Sequence, residues 1–304
     1  MGLGCGRIRR EWVESINYEI VTDSSANLTD EMIEQYRIHI VPLSYRIGGE
    51  ERYSYVEGEK TDLKQFYERL RQGEVAETSL ITVRDCQNVF ESILKEGKDL
   101  LYIGFSSALS GTYNVAAMVA RDLREAYPGR KIYAIDSLAA SMGQGLLVYH
   151  AAEQKLAGKS IEEIRDWLLE NKLRLCHWFT VDDLLYLKRG GRISAAAAAI
   201  GTILSVKPVM HVDDEGKLVP VSKVRGRRRS LAALVDEMEK TCTDPTEQMV
   251  FISHGDSMED ARYVEKLVRE RLNVKDVRIN YVDPVIGAHS GPGTVALFFL
   301  GTKR

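Results

Sequence analysis

The chain is 304 residues long, enough for two domains of ordinary size. A hydrophobic fraction of 44% and a charged fraction of 28% are those of an ordinary soluble globular chain. Forty-one basic and forty-four acidic side chains leave a net charge of -3, which implies no polyanion partner.

At the N-terminus, "MGLGCGRIRREW" contains no apolar stretch of the roughly 7–15 residues a secretory signal needs. It resembles a myristoylation start, but Gly6 stands where Ser or Thr is required. Residues 1–17 therefore read as an extension before the first strand. "YEIVT" (Tyr18–Thr22) is a β-like run, and Thr29 in the "DSSANLTDEMIEQY" that follows is placed to cap a short helix. "IHIVPLSYRI" reads as an extended segment. "TDLKQFYERLRQG" has a capping residue, an amphipathic face of Leu63, Phe66, Tyr67 and Leu70, and a stop at Gly73. "TSLIT" leads into a helix carrying Val83, Cys86, Phe90, Ile93 and Leu94, with Thr82 and Asp85 at capping-box spacing.

"DLLYIGF" and "KIYAID" are apolar throughout, as expected of parallel strands buried on both faces. Each precedes a hydroxyl-rich turn and a helix. This alternation predicts an α/β fold with a mostly parallel sheet over residues 18–157. Two helical segments, around "GLLVYHAAEQKLAGKS" and "IEEIRDWLLENK", carry the chain into an α+β domain over 158–304. There "KPVMHVDDEGKLVPVSKV" predicts a β-hairpin with "DDEG" as its turn. "MVFISHGD" and "VRINYVDPVIG" add strands on either side of a helix at Met258–Leu272.

"ISAAAAAIGTILSV" is shorter than the roughly 20 apolar residues a membrane-spanning helix needs. Cys5, Cys86, Cys176 and Cys242 form no CxxC pair. They read as free thiols in a reducing cytoplasm rather than a zinc site or disulfide frame.

Common catalytic signatures fail on inspection. "AGKS" ends like a phosphate loop, but Glu153 stands where the first glycine must be and the preceding segment is helical. "GQG" at Gly143–Gly145 is followed by Val148 at the third-glycine position of a dinucleotide fingerprint. A nucleophile elbow at Ser110 would need glycines where Ala108 and Thr112 stand. Neither HExxH nor another paired metal-ligand spacing occurs, so no metal or cofactor is expected.

What survives is a set of turns rich in small hydroxyl residues and glycine: "TDSSA", "ETSLIT", "SSALSGT" and "IDSLAASMGQG". In open α/β sheets, ligands sit beyond the carboxyl ends of the strands, where helix N-termini offer free amides to an anion. Hydroxyls also cap helices routinely, so each turn alone has a structural explanation. Near the C-terminus, "VIGAHSGPG" (Val285–Gly293) places one histidine among glycines that let backbone approach a bound group.

The set "TDSSANLT", "TSLIT", "SSALSGTYN", "IDSLAASMGQG", "YLKRGGRIS", "KPV" and "GAHSGPG", in that order, resembles the DegV family over nearly the whole chain from Tyr18 onward. Members of that family resemble the fatty-acid-binding subunit of bacterial fatty acid kinases. The resemblance implies two α/β domains with a long-chain fatty acid between them, and a separate ATP-dependent kinase subunit that phosphorylates the carboxylate. It further implies carboxylate contacts from Thr78, Ser79, Ser110, the Gly111 amide and His289, the last orienting Ser110 or touching the head group. Arg192 of "RGGR", and more weakly Arg225, are tied by the same resemblance to phosphoryl transfer or kinase docking. Leu80 and Ile81 depart from the family's usual Gln-Pro. Apolar residues near the turns, namely Ile81, Phe105, Leu109, Ile200, Leu204 and Ile286, are candidates for an acyl-tail pocket or for ordinary core.

Two rival readings compete. A free-standing hydrolase would use Ser110 with His289, although no acidic third member is identifiable. A DNA-binding regulator rests only on "RGRRR" and lacks a recognition-helix motif.

Overall fold

The structure, a computed structural model, describes residues 17–199 and 206–304. The chain begins β1 (Tyr18–Asp23), α1 (Asp30–Tyr36), β2 (His39–Val41), β3 (Ser44–Ile47), β4 (Glu50–Tyr53), α2 (Leu63–Arg71) and β5 (Ala76–Ser79). It continues through α3 (Val83–Lys95), β6 (Asp99–Gly104), α4 (Thr112–Ala126), β7 (Ile132–Asp136), α5 (Met142–Leu156) and α6 (Ile161–Asn171). Next come β8 (Leu175–Thr180), α7 (Leu184–Arg189), α8 (Ala195–Ala199), β9 (Val206–Val212), β10 (Leu218–Arg225) and α9 (Arg227–Thr241). The last elements are β11 (Met249–His254), α10 (Met258–Leu272), β12 (Asp276–Tyr281), α11 (Pro284–Ser290) and β13 (Val295–Leu300).

Three sheets result. The first is wholly parallel, in the order β2-β1-β6-β7, as the apolar runs of β6 and β7 require. The second is a small antiparallel sheet, β4-β3-β5. The third has the order β10-β9-β8-β13-β11-β12 and is antiparallel except for the β11–β12 pair. The segment "IHIVPLSYRI" is split between sheets. Pro42 cannot donate to a ladder, so β2 stops before it and β3 starts a new pairing beyond it. The hairpin forms where the alternation places it, with Gly216 at φ 80° in its turn.

Helix α5 joins the first and third sheets. It packs against β1 and β6 on one side and β8, β11 and β13 on the other. Leu146, Leu147 and Ala151 of the helix share one core with Ile20, Leu101 and Ile103 of the first sheet and Phe179, Phe251 and Phe298 of the third. The two glycines of "GQG" are explained by that fit. A Cβ on Gly143 would lie 2.8 Å from the Phe298 ring, and one on Gly145 would lie 2.6 Å from the Ala26 carbonyl oxygen. Near its far end the helix is pinned by Lys155, whose Nζ lies 2.7 Å from the Glu19 carboxylate inside the protein. Helix α6 packs on β6 and β7, so the chain leaves the first sheet only after Asn171.

The "TDSSA" turn is occupied structurally. Asp23 is fully buried, and no salt bridge reaches it among the described residues. Its Oδ1 accepts from the Ser25 amide at 3.1 Å and from the Ser25 hydroxyl. Oδ2 accepts from Tyr102 at 2.7 Å, the Phe105 amide at 3.0 Å and Gln144 Nε2 at 3.1 Å. Burial pushes its pKa up, and these hydrogen bonds pull it back. Arg304 makes a second tie: its guanidinium donates to the Leu138 carbonyl beyond β7, to Asp213 in the hairpin turn, and to Lys172 and Leu175.

Helix propensity alone predicts that Gly145→Ala stabilises the protein by about 1 kcal/mol. The close approach to Ala26 predicts the opposite sign, a loss of about 1–3 kcal/mol. Urea unfolding of the variant decides between them, and a gain in stability would show that the contact relaxes freely.

Candidate ligand cavity

Between the sheets lies a cavity of about 160 Å³. A single water needs roughly 10–15 Å³ on the same measure. Its walls are mostly apolar: Leu80, Phe105, Leu109, Phe179, Leu187 and Leu218, with Val282, Val285 and Ile286 closing one side. Arg192 is the one cation, and no carboxylate stands, among the described lining residues. The electrostatic character therefore suits an anion with an apolar body.

One polar group of wall residues gathers residues far apart in sequence. Thr78 and Ser79 are the last residues of β5, delivered to the cavity by pairing opposite Tyr45 and Ser44 of β3. Ser110 and Gly111 form the turn into α4, and His289 sits in the last turn of α11. Thr78 Oγ1 and His289 Nε2 are 2.8 Å apart. The Ser110 hydroxyl donates to Thr112 Oγ1 at 2.9 Å and accepts from the Thr112 amide at 3.2 Å. The Gly111 amide has no hydrogen-bond partner among the described residues, and the positive end of α4 begins there. Arg192 donates from Nε to the Leu109 carbonyl at 3.1 Å and from Nη1 to Gly190 at 2.5 Å, bracing the turn from outside.

Burial lowers the His289 pKa to about 4, with Arg192 and then Arg189 adding to the effect, so the imidazole is neutral at pH 7. Its Nδ1 faces Gly190, where a Cβ would collide with the ring. The hydrogen bond a serine nucleophile needs from its base is absent, because Ser110 engages Thr112 while His289 engages Thr78. The expectation that His289 orients Ser110 accordingly gives way to a Thr78–His289 pair.

The remaining sequence candidates divide. Phe105, Leu109, Ile286 and Arg192 lie on the wall. Ile81 does not: it is 1% exposed and packs in the core with Phe90 and Tyr102, leaving its neighbour Leu80 on the wall. Strand β5 ends at Ser79, and the turn after it sends successive side chains in opposite senses. Arg225 is exposed at the end of β10, opposite Val206, and is not on the wall. Ile200 and Leu204 lie outside the described residues. The basic run is engaged elsewhere, with Arg227 paired to Asp260 at 2.8 Å and Arg228 over the Tyr263 ring. Cys86 and Cys176 are buried free thiols, and Cys242 is partly buried. No cluster able to hold a metal ion occurs among the described residues, and no helix there is long and apolar enough to cross a membrane.

Sequence reasoning missed the contribution of the third sheet: His177 and Phe179 of β8, Ser253 of β11, Leu218 of β10 and Ala296 of β13. A strand residue's facing depends on register, which the sequence around β8 left open. The signal for Leu218 was present, since it follows the "DDEG" turn. That turn docks on the "SSALSG" loop, where Ser106 donates to the Gly216 carbonyl at 2.9 Å.

A parallel sheet and a mixed sheet around a shared helix, with an apolar cavity and a cluster of hydroxyls between them, define an α/β protein with an internal site suited to an amphipathic molecule. The family model described as "Uncharacterised protein, DegV family" matches residues 17–302, and the chain belongs to the DegV family. It is 46% identical over 287 residues to a DegV domain-containing protein of Clostridium perfringens, covering 94% of this chain and 98% of that one. Among solved structures, it is similar to DegV, a fatty acid binding protein from Bacillus subtilis, with TM-score 0.80, 31% identity, and coverage of 95% and 100%. A DegV lipid binding protein from Thermotoga maritima superposes with TM-score 0.83 at 28% identity, covering 95% of this chain and 100% of that one.

The neutral histidines set a pH dependence. His289, His150 and His254 are all lowered from 6.5 to about 4, burial being the largest cause in each. Between those values the unfolded chain binds more protons than the folded one, so stability is full above pH 6.5 and falls as pH drops toward 4. Asp283, raised to about 6 by burial, opposes this, since its folded form holds a proton the unfolded form loses. Urea unfolding across pH 4 to 6.5 should show stability falling with acid, and less steeply in His289→Gln. An identical profile in the variant would mean that His289 is not a buried neutral base.

Proposed function

We propose that this protein holds a long-chain fatty acid in the cavity and presents it to a separate ATP-dependent kinase subunit for conversion to an acyl phosphate. The carboxylate is assigned to Thr78, Ser79, Ser110, the Gly111 amide and His289. The supporting observation is this polar group on a largely apolar wall that carries no acid among the described residues. Structures of relatives described as fatty acid binding support the ligand class.

The energetics fit this division of labour. A desolvated carboxylate needs charge-assisted hydrogen bonds, and hydroxyls with a helix-start amide supply them. A tail of roughly fifteen methylenes at ~0.8 kcal/mol each contributes ~12 kcal/mol of gross transfer free energy, much of it offset by association costs. The tail then sets affinity and the polar cluster sets orientation. A bound carboxylate would also favour the protonated imidazole and draw the His289 pKa upward.

The sequence has no recognisable nucleotide loop, so the phosphoryl-transfer machinery is assigned to the partner subunit. Arg192, braced beside the head-group turn, is the residue we assign to the transferring phosphoryl group, and exposed Arg225 to docking. The protein is assigned to the cytoplasm, with the ligand between its two domains; because α6 packs on β6 and β7, we move their boundary from the residue 157 read in the sequence to after Asn171.

Extraction of gently purified protein with organic solvent, followed by mass spectrometry, should release a long-chain acid; no acid, together with no binding of added acids, overturns the reading. Ser110→Ala, Thr78→Val and His289→Ala should each weaken acid binding about 10-fold or more, the range for one hydrogen bond to a charged group. Parent-like binding in all three variants would remove the head-group assignment. Arg192→Ala should lower acyl phosphate formation by the complete two-subunit system more than it lowers acid binding.

A further inference from the structure

A second polar group lies on the same cavity wall, outside the head-group cluster. Helix α5 starts at the cavity with Ser141 as its N-cap, held at φ 54° and ψ -148°, a conformation a serine rarely adopts. The Ser141 side chain does not cap its own helix. Its hydroxyl bonds instead to Asn27 at 2.7 Å and to the Ser253 hydroxyl at 2.9 Å. No side chain caps the first turn of this fifteen-residue helix.

Beside that helix start stands His177. It is 4% exposed, lines the cavity, and sits between the rings of Phe179 and Phe298. No described residue hydrogen-bonds either ring nitrogen; Nδ1 is sealed against the start of α5, 3.4 Å from where a Cβ of Gly143 would be, which leaves Nε2 as the nitrogen free to meet a group in the cavity. The Ser290 hydroxyl, also on the wall, is buried and orphaned as well. Burial holds His177 neutral, with Arg304 and His211 adding to the effect, so a carboxylate would find no positive charge on it. An imidazole this buried is destabilising without a hydrogen-bond partner unless a group in the cavity satisfies it through Nε2. A plain hydrocarbon tail cannot do so.

We infer that the polar group of His177, Ser141 and Ser253 on the cavity wall binds an oxygen substituent on the acyl chain, so that the preferred ligands are hydroxylated or oxo long-chain acids. This inference rests on the fatty-acid reading above and narrows its substrate class. A hydroxyl both donates and accepts, so it can serve the imidazole and a serine hydroxyl together. Selectivity arises because an unsubstituted tail leaves those groups unpaired.

The test displaces a fluorescent fatty acid with octadecanoic acid and with octadecanoic acids hydroxylated at successive positions from mid-chain to the methyl end. At least one isomer should bind about tenfold more tightly than the parent acid. The readout in each variant is the ratio of the two affinities, so a general loss of binding cancels. His177→Phe, which completes the aromatic stack, and Ser253→Ala should each bring the ratio toward one. No isomer preferred over octadecanoic acid, or a ratio unchanged in Ser253→Ala and in folded His177→Phe, overturns the inference while leaving the fatty-acid reading intact. Failure of every acid to displace the probe overturns that reading as well.

Discussion

The arrangement of this protein depends on a carboxyl group that never touches the cavity. Asp23 is stripped of water with no cation beside it among the described residues, and a buried acid in that state is tolerated only when its lone pairs are filled. Its donors come from the turn after β1, from β6, from the loop after β6 and from α5. Each hydrogen bond to such a group contributes about 1.5–3 kcal/mol. They are geometric constraints as much as energetic ones. The Phe105 amide can reach Asp23 only if the "SSALSG" loop leaves β6 along one path, and that path delivers Ser110 and Gly111 to the wall. Gln144 reaches it only if α5 lies close against the Ser24–Ala26 turn, which is why Gly145 has no side chain.

A carboxylate centre that leaves the sites around it neutral shapes the electrostatics of the whole interior. The cavity carries one cation and no acid among its described wall residues, and its two imidazoles are uncharged. The polar groups it offers beside that cation are hydroxyls and neutral rings, which select by direction more than by charge. Apolar area supplies attraction without direction. Orientation and affinity are thereby assigned to different atoms.

Much of this was legible in the sequence, for identifiable reasons. β6 and β7 read as buried strands because parallel strands are apolar on both faces, and the "DDEG" hairpin formed because turn and alternation agree. The polar wall residues Thr78, Ser79 and Ser110 were visible because hydroxyls collected where strands give way to helices. Other features depend on register or on partners remote in sequence. "TDSSA" looked like the other hydroxyl turns, yet it serves Asp23, a distinction set by which donors converge on it. Pro42 marked a break that a continuous apolar stretch concealed. His177 lies in "LCHWFT", where alternation is obscured because the strand is buried on both faces. Its position on the wall follows from pairing with β13, more than a hundred residues away.

Strand β13 has a consequence for how the molecule is made. It is the last strand in the chain, yet it occupies the middle of the third sheet, between β8 and β11. Its neighbours emerge from the ribosome first and must wait with an open seam, exposing edges that can pair only with a segment not yet synthesised. Thr294 and Ala296 supply part of the wall, so the cavity cannot close before that seam does. Long-range pairing of this kind is slow to nucleate. The cavity is therefore complete only once β13 has been made and paired, and the chain that still lacks it is the form most in need of protection from aggregation.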